Sequence, residues 1–237
     1  MCGRKTLTRD MQSIIEELGI GEWEDLDNYT PSYNIAPAQF SPILIQENDS
    51  RIVRPMKWGL IPSWSKDETM GAKLINARSE TLLEKPSFQN LVPRNRCVVI
   101  SDGYYEWQRR GSATKQPVYI HHPRGRLLPM AGLWSAWTSS SGEELLPYTV
   151  INTTPKKSIV HIHTRMPVIL HPGDLDTWLG SDQNPVHAAS NLLVPYRGDL
   201  GFHPVSTMVN SPRNNSPDCI RPITDSSTLD MFRVIVR

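Results

Sequence analysis

The sequence of 237 residues has no long apolar run, few cysteines and almost no net charge. No window approaches the roughly 20 consecutive apolar residues that a membrane-spanning helix needs, so we expect no membrane association. No apolar segment follows the first few residues, and we therefore expect no signal peptide. The formal net charge is only +1, so any nucleic-acid site must be a local basic patch.

The three cysteines, Cys2, Cys97 and Cys219, are an odd number and form no Cys-x-x-Cys pair. This pattern argues against a disulfide framework or a zinc ribbon, and it is typical of a reducing compartment. The pair His161 and His163 has no further cluster of ligands at metal spacing nearby. We therefore predict neither a metal ion nor a cofactor.

Many short elements and 20 prolines characterise the chain. Apolar residues at helical spacing predict a helix over 9–18, with Thr8 as its cap and Gly19 at its end. Alternation in segments such as 52–60 predicts half-buried strands. Shorter helices are predicted over 85–91, 156–162, 173–179 and 185–193. No repeat or linker divides the chain, so we predict one β-rich α+β domain over residues 1–237.

Cys2 is the residue with the most specific chemistry. Because the residue after Met1 is small, we expect methionine aminopeptidase to remove Met1 and to expose the α-amine of Cys2. This amine and the thiol have reference pKa values of about 8 and 8.5, so reactive fractions of both exist near neutral pH. Such an aminothiol can condense with an aldehyde to an imine, and the sulfur can then close a five-membered thiazolidine ring.

The start Met-Cys-Gly is open to three interpretations. The simplest is an arbitrary, disordered N-terminus, and the second is aldehyde capture. The third is an N-terminal-nucleophile amidohydrolase, because glutamine amidotransferase domains also begin with Met-Cys-Gly. That third activity needs an oxyanion-hole Asn-Gly, and the sequence contains no Asn-Gly dipeptide.

Further residues carry side chains suited to acid–base chemistry or to DNA, although a structural role accounts for each of them singly. Asn76 offers a donor and an acceptor, and Arg78 offers a fork that suits phosphate. Glu106 lies among aromatic residues of a predicted strand, where desolvation would raise the pKa of its carboxyl. His163 titrates near physiological pH. Trp64 lies in a predicted loop, where its ring can stack on single-stranded bases.

The order of the motifs is more specific than any one of them. In chain order they are MCGR at 1–4, YNIAP at 33–37, WGLIPSW at 58–64, NARSET at 76–81, DGYYEW at 102–107, AGLW at 131–134, HTRMPV at 163–168 and VNS at 209–211. This order resembles the SOS-response-associated peptidase (SRAP) family of abasic-site-processing proteins over essentially the whole chain. The resemblance implies a single compact α+β domain with a β-rich, barrel-like core, short peripheral helices and a positively charged groove for single-stranded DNA.

The resemblance also implies a catalytic set of four residues. Cys2 would be the crosslinking nucleophile, and Asn76 would orient its amine or the sugar. Glu106 would transfer protons at Cys2, and His163 would assist opening of the deoxyribose ring.

The expected DNA-binding residues are Arg4, Arg78, Arg165 and Trp64. The three arginines would hold phosphates beside the lesion, and Trp64 would stack on a base. Asn152 stands where the family commonly has threonine, so its role stays open.

The implied activity is a covalent thiazolidine crosslink between Cys2 and abasic sites in single-stranded DNA, which shields the lesion during DNA repair. Strand-cleaving lyase activity and self-removal of Met1 would accompany it. We expect a monomer, cytoplasmic in a bacterial or phage host and nuclear in a eukaryote. A glutamine-type amidohydrolase and a non-covalent single-strand binder remain as alternatives.

Overall fold

Short strands predominate over short helices in the computed structural model, which describes residues 2–110, 114–180 and 186–223. The strands are β1 (Lys5–Leu7), β2 (Glu22–Trp23), β3 (Ser32–Ile35), β4 (Phe40–Glu47), β5 (Ser50–Trp58), β6 (Asn76–Arg78), β7 (Arg96–Val99), β8 (Gly103–Arg110), β9 (Thr114–His121), β10 (Met130–Trp134), β11 (Trp137–Thr138), β12 (Glu144–Leu145), β13 (Pro147–Thr153), β14 (Met166–Pro167) and β15 (Gly201–Pro204). The α-helices are α1 (Met11–Leu18), α2 (Leu175–Leu179) and α3 (Val186–Ser190). Single-turn or slightly longer 3-10 helices lie at Leu26–Asn28, Glu68–Lys73, Ser79–Thr81, Lys157–Ile159, Pro172–Asp174, Thr207–Asn210 and Pro217–Ile220.

Five strands close into a ring. Their order is β13, β10, β7, β4 and β5, and β5 returns to β13 through a parallel pairing of Trp58 with Tyr148. Closure pairs the two strands that would otherwise be the edges of the sheet. β6 and β14 extend the ring by pairing with β13, and β2 pairs with β5. The predicted barrel-like core is therefore confirmed.

A second sheet has the order β15, β9, β8, β1 and β3. β8 and β9 form a long antiparallel hairpin, and β1 lies on the other side of β8 with Lys5 opposite Tyr104. Because β1 follows Cys2 by only a few residues, this pairing places the N-terminal segment beside the strand that carries Glu106.

The core is one large apolar cluster to which both sheets contribute. β7 and β13 are buried along their whole length, as expected for strands that are covered on both faces. α2 provides the cover for β7, where the Trp178 indole donates a hydrogen bond of 2.8 Å to the carbonyl of Cys97. Each fully buried aliphatic side chain stabilises the fold by about 1.5–3 kcal/mol.

The turn after β5 depends on a close contact between two glycines. Gly59 has φ +129°, a conformation that side-chain-bearing residues rarely adopt, and a Cβ atom there would lie 2.7 Å from the carbonyl oxygen of Gly71. The contact ties the two ends of the 60–73 loop together. That loop carries Trp64 and leads directly into β6, which carries Asn76.

The first helix is shorter than predicted, and Thr8 is not its cap. The cap is Asp10, whose carboxylate accepts a hydrogen bond of 2.9 Å from the Ser13 backbone N–H. Thr8 instead donates its backbone N–H and its hydroxyl to the Asp102 carboxylate, at 2.5 and 2.7 Å. Gly19 ends the helix in the left-handed conformation, as predicted.

The other predicted helices are also shorter in the structure. Residues 85–91 form hydrogen-bonded turns, 156–162 contain only the 3-10 turn at Lys157–Ile159, and α2 and α3 cover parts of 173–179 and 185–193. None of the helices in the described ranges has the length and apolar character of a membrane span. The predicted α+β fold class is confirmed. The domain limits of 1–237 stay a prediction, because residues 1 and 224–237 lie outside the described ranges.

Candidate active site

Cys2 is held inside the protein immediately before β1. It is 0% exposed, and its carbonyl oxygen accepts a hydrogen bond of 2.8 Å from Nδ2 of Asn76. Asn76 is the first residue of β6, and its pairing with Val150 of β13 attaches it to the closed ring. The ring therefore fixes the position of the residue that would supply the nucleophile.

Burial controls the ionisation of the Cys2 thiol. Removal from water raises its pKa to about 12, and the negative charge of Glu106 acts in the same direction. A buried thiol of this kind is protonated at neutral pH. In the chain that still carries Met1, the Cys2 nitrogen is an amide, so neither of its two nucleophiles is reactive in this state.

Glu106 and His163 form an acid–base pair beside the N-terminal segment. Oε2 of Glu106 lies 3.8 Å from Nε2 of His163, and the Glu106 side chain is 3% exposed. Burial raises the pKa of Glu106 to about 7, whereas burial lowers the pKa of His163 below its ordinary 6.5. Glu106 is therefore able to change protonation state near neutral pH, where the imidazole of His163 is uncharged.

The backbone of Arg165 holds the imidazole ring of His163 in place. Nδ1 lies 3.0 Å from the Arg165 backbone nitrogen and 3.2 Å from the Arg165 carbonyl oxygen, so the ring has a backbone partner whichever nitrogen carries the proton. Nε2 lies on the side that faces Glu106.

A cleft of ≈ 570 Å³ gives access to this pair. Its walls include Glu106, His163 and the ring of Trp107, together with the basic side chains of Arg109 and Lys115. A cleft that joins an acid–base pair to cations and an aromatic ring fits a phosphodiester chain with exposed sugars. Cys2 does not line the cleft, because it is covered by its neighbours.

The side chains of the DGYYEW segment alternate between the two faces of β8. Tyr104 and Glu106 point to one face of β8, where Tyr104 joins the large core cluster with Cys2. Tyr105 points to the opposite face and packs in a second cluster with Tyr119.

Arg4 makes its contacts with other residues inside the fold. Its guanidinium donates to Oδ1 of Asn34 and to the carbonyl of Val209, both at 2.6 Å, and lies 5.7 Å from the centre of the Trp107 ring. These contacts tie the N-terminal segment to the 3-10 helix at Thr207–Asn210. The expected role of Arg4 in phosphate binding stays a prediction.

Arg165 is likewise engaged by protein groups. It donates two hydrogen bonds to the Glu80 carboxylate, at 2.6 and 2.8 Å, and further hydrogen bonds to Oδ1 and the carbonyl of Asn152. The guanidinium lowers the pKa of Glu80 to about 2. Asn152 is fully buried beside β14 and orients Arg165, a partnership that the sequence analysis did not anticipate. The predicted phosphate contact of Arg165 stays a prediction.

Arg78 and Trp64 are the expected DNA-binding residues that are accessible. Arg78 is exposed at the end of β6, and within the described ranges its guanidinium makes no ion pair or side-chain hydrogen bond. Trp64 is 61% exposed, which agrees with its predicted loop position. Over the residues that the structure describes, no three His, Cys, Asp or Glu side chains are grouped to hold a metal ion.

Comparison with known proteins gives matches over nearly the whole chain. The sequence profile of the SOS response associated peptidase (SRAP) family matches residues 1–212. The chain is 41% identical to the abasic site processing protein YoqW of Bacillus subtilis, over 93% of this chain and 99% of that protein. It is 38% identical to the abasic site processing protein HMCES of Gallus gallus, over 85% of this chain and 69% of that protein. A crystal structure of a Bacteroides thetaiotaomicron protein superposes with a TM-score of 0.83 and 26% identity, covering 94% of this chain and all of that one.

Proposed function

Since the chain belongs to the SOS response associated peptidase (SRAP) family, we propose that it processes abasic sites in DNA by bonding them covalently to Cys2 after Met1 is removed. The observation that carries the proposal is the placement of the N-terminus. Asn76 holds the carbonyl of Cys2 by a hydrogen bond. The buried carboxyl of Glu106, whose pKa is about 7, acts electrostatically on the thiol of Cys2. A catalytic amine needs both a fixed position and a nearby proton acceptor.

His163 prepares the substrate in this mechanism. An abasic deoxyribose is mostly a closed hemiacetal, and its C1′ aldehyde appears only when the ring opens. The neutral imidazole accepts the proton of the C1′ hydroxyl, and the protonated carboxyl of Glu106 donates its proton to the ring oxygen as the C1′–O4′ bond breaks and the C1′=O bond forms. His163 then loses its proton to solvent, and Glu106 is left as a carboxylate. The cleft that both residues line gives the sugar access to this pair.

Glu106 transfers protons at the nitrogen of Cys2. Its carboxylate accepts a proton from the α-ammonium, and the neutral amine attacks C1′ to give a carbinolamine. The protonated carboxyl then returns the proton to the departing hydroxyl, which leaves as water and produces an iminium ion. The high pKa that burial gives Glu106 suits it to both directions of transfer near neutral pH.

Ring closure protects the DNA strand. An iminium ion at C1′ acidifies the C2′ proton, and loss of that proton leads to β-elimination and strand cleavage. Attack of the Cys2 sulfur on the iminium carbon removes the C=N bond and gives the stable thiazolidine. An amine without the thiol would stop at the iminium stage, so lyase activity and crosslinking are two outcomes of one intermediate.

Single-stranded DNA is the substrate that the surface supports. Arg78 offers an accessible cation next to Asn76, Arg109 and Lys115 line the cleft, and Trp64 offers an exposed ring. Separate cations and rings of this kind suit phosphates and unstacked bases. We further propose that the protein acts as a monomer.

Intact-mass spectrometry of the purified protein, alone and after mixing with an abasic single-stranded oligonucleotide, tests the proposal. We expect the free protein to lack Met1 and the adduct to weigh the sum of both partners less one water. An oligonucleotide of the same sequence without the lesion is the control and should give no adduct. A protein that binds both strands equally and forms no covalent species is a non-covalent binder, and ammonia release from glutamine would indicate an amidohydrolase.

A further inference from the structure

Lys5 is an amine enclosed in the protein interior three residues after Cys2. It is 0% exposed, and its Nζ atom donates a hydrogen bond of 3.1 Å to the carbonyl of Ile100. Lysine is almost never fully buried, because an ammonium group loses its hydration there. The burial lowers the pKa of Lys5 to about 7, so near neutral pH a large fraction of the amine is uncharged and carries a free lone pair.

The strand register places Lys5 on the side of the sheet that carries the acid–base residues. Lys5 stands opposite Tyr104 in the β1–β8 ladder, and Glu106 is two residues further along β8 on the same face. Tyr104 is fully buried, and its hydroxyl has no hydrogen-bond partner among the described residues. Besides the effect of burial, the charge of Glu106 raises the pKa of the Cys2 thiol and the charge of Lys5 lowers it, so both groups lie within electrostatic range of the sulfur. A thiol, an amine, a phenol and a carboxyl therefore share one enclosed region.

Asp102, another charged group near Lys5, makes its hydrogen bonds with other residues. Asp102 lies in the turn between β7 and β8, and its carboxylate accepts hydrogen bonds from the Thr6 hydroxyl at 2.5 Å and from Thr8. The titratable groups around Lys5 are thus Cys2, Asp102, Tyr104 and Glu106, contributed by the N-terminal segment, the turn and β8.

Ring closure needs a base that the steps at nitrogen do not use. The buried thiol holds its proton tightly, and solvent does not reach it. Glu106 is engaged at the nitrogen and at the departing water in the preceding steps. A base whose pKa lies near the working pH is the most effective acceptor for such a proton.

We propose that Lys5 accepts the thiol proton of Cys2 as the sulfur closes the thiazolidine ring. The inference rests on the proposed crosslinking function and adds the route of one proton. The S–H bond breaks and its proton moves to the neutral Nζ. The S–C1′ bond forms, and the electron pair of the C=N bond returns to nitrogen. The iminium charge is thereby neutralised, and Lys5 keeps the proton as an ammonium group in the product.

The test separates imine formation from ring closure in wild type and in Lys5→Met, which keeps an unbranched side chain but lacks the amine. Borohydride added during the reaction with an abasic oligonucleotide traps the imine, whereas denaturation alone preserves only the thiazolidine. We expect Lys5→Met to form trappable imine at the wild-type rate and to close the ring about 100-fold more slowly, the lower range for a general base. The wild-type closure rate should rise through about pH 7, and that rise should vanish in the variant.

Lys85→Met is the matched control, because Lys85 is exposed and lies outside this region. It should close the ring at the wild-type rate at saturating DNA. Equal closure rates and pH profiles in Lys5→Met and wild type would overturn the assignment of Lys5 while leaving the crosslink intact. Absence of any adduct in wild type, trapped or stable, would instead overturn the proposed function and with it the role of Lys5.

A second measurement needs no DNA and does not depend on one variant. Alkylation of the Cys2 thiol in the Met1-free protein, followed by peptide mass spectrometry, reports the thiol directly, and buried Cys97 in the same digest is the internal reference. We expect slower alkylation of Cys2 relative to Cys97 in Lys5→Met and in Lys5→Gln. An unchanged ratio in both variants contradicts the proposal.

Discussion

Nε2 of His163 lies 3.8 Å from Oε2 of Glu106, and the two side chains differ greatly in exposure, at 28% and 3%. Burial acts on the two groups in opposite directions, raising the pKa of Glu106 and lowering that of His163. The uncharged forms of both are favoured just below pH 7. In the proposed mechanism the more exposed imidazole of His163 acts on the sugar, and the enclosed carboxyl of Glu106 transfers protons at the N-terminal amine.

Cys2→Ala separates the two outcomes of the iminium intermediate. The variant retains an α-amine after Met1 removal but has no sulfur, so we expect no adduct that survives denaturation and continued strand cleavage at abasic sites. Denaturing electrophoresis of both products measures this. Cys219→Ala is the control, since Cys219 lies in the second cluster, and it should crosslink like wild type. A full yield of stable adduct with Cys2→Ala would refute the nucleophile.

Glu106→Gln and His163→Ala address the acid–base pair. Glu106→Gln should slow imine formation by about 100-fold, because the amide cannot accept a proton, and the rise in rate through pH 7 should disappear. His163→Ala should slow the reaction by a similar factor on the closed sugar. Borohydride trapping over time measures both rates. Wild-type rates in either variant would remove that residue from the mechanism.

The stability of the protein should depend on pH through Glu106. The folded-state pKa of about 7 lies above the ordinary value of 4.5. Stability from this group is therefore complete below pH 4.5 and is lost as pH rises through 7, by up to about 3 kcal/mol. Urea unfolding at both ends of this range should show that Glu106→Gln loses less stability than wild type as pH rises.

Glu80→Gln tests a pH dependence of stability that has the opposite sign. Arg165 lowers the pKa of Glu80 to about 2, so the stability that Glu80 contributes is present above its ordinary pKa and is lost only in acid. Glu80→Gln should therefore be less stable than wild type at neutral pH. A pH dependence shared by both variants would contradict these assignments.

Arg78→Ala should weaken binding to single-stranded DNA without affecting the fold, because Arg78 is exposed and its side chain makes no hydrogen bond or ion pair within the described ranges. Loss of one phosphate contact should make the salt dependence of log K shallower by about 0.7. Titration at several salt concentrations measures the slope. Arg165→Met is the comparison, and it should lower stability because it leaves Asn152 and Glu80 without their partner. An unchanged slope with Arg78→Ala would exclude a phosphate contact.

The sequence was informative wherever local chemistry decides the outcome. Gly19 ended the first helix, alternation placed Tyr104 and Glu106 on one face, and Trp64 was exposed in its loop. The α+β class followed from short elements and scattered prolines. These features depend on neighbours close in sequence, so a single sequence contains their causes.

The sequence did not reveal contacts between distant segments. Thr8 bonds to Asp102 and does not cap the helix. Arg4 bonds to Asn34 and Val209, and Arg165 bonds to Glu80. The partners in each case are far apart in the sequence, so the periodicity of a single segment does not predict them. Those partners give Arg4 and Arg165 structural contacts, and their expected contacts with phosphate stay predictions. The burial of Lys5 also depends on distant segments, since β8 and the core enclose it.

The most direct test of the account is a ¹³C NMR spectrum of the complex formed with an oligonucleotide labelled at C1′ of the abasic sugar, using Met1-free protein labelled with ¹⁵N at Cys2. We expect a saturated C1′ carbon that is coupled to the Cys2 nitrogen and whose chemical shift indicates a second bond to sulfur. A stable complex in which C1′ remains an aldehyde or a closed hemiacetal, or in which it bonds to another residue, would contradict it.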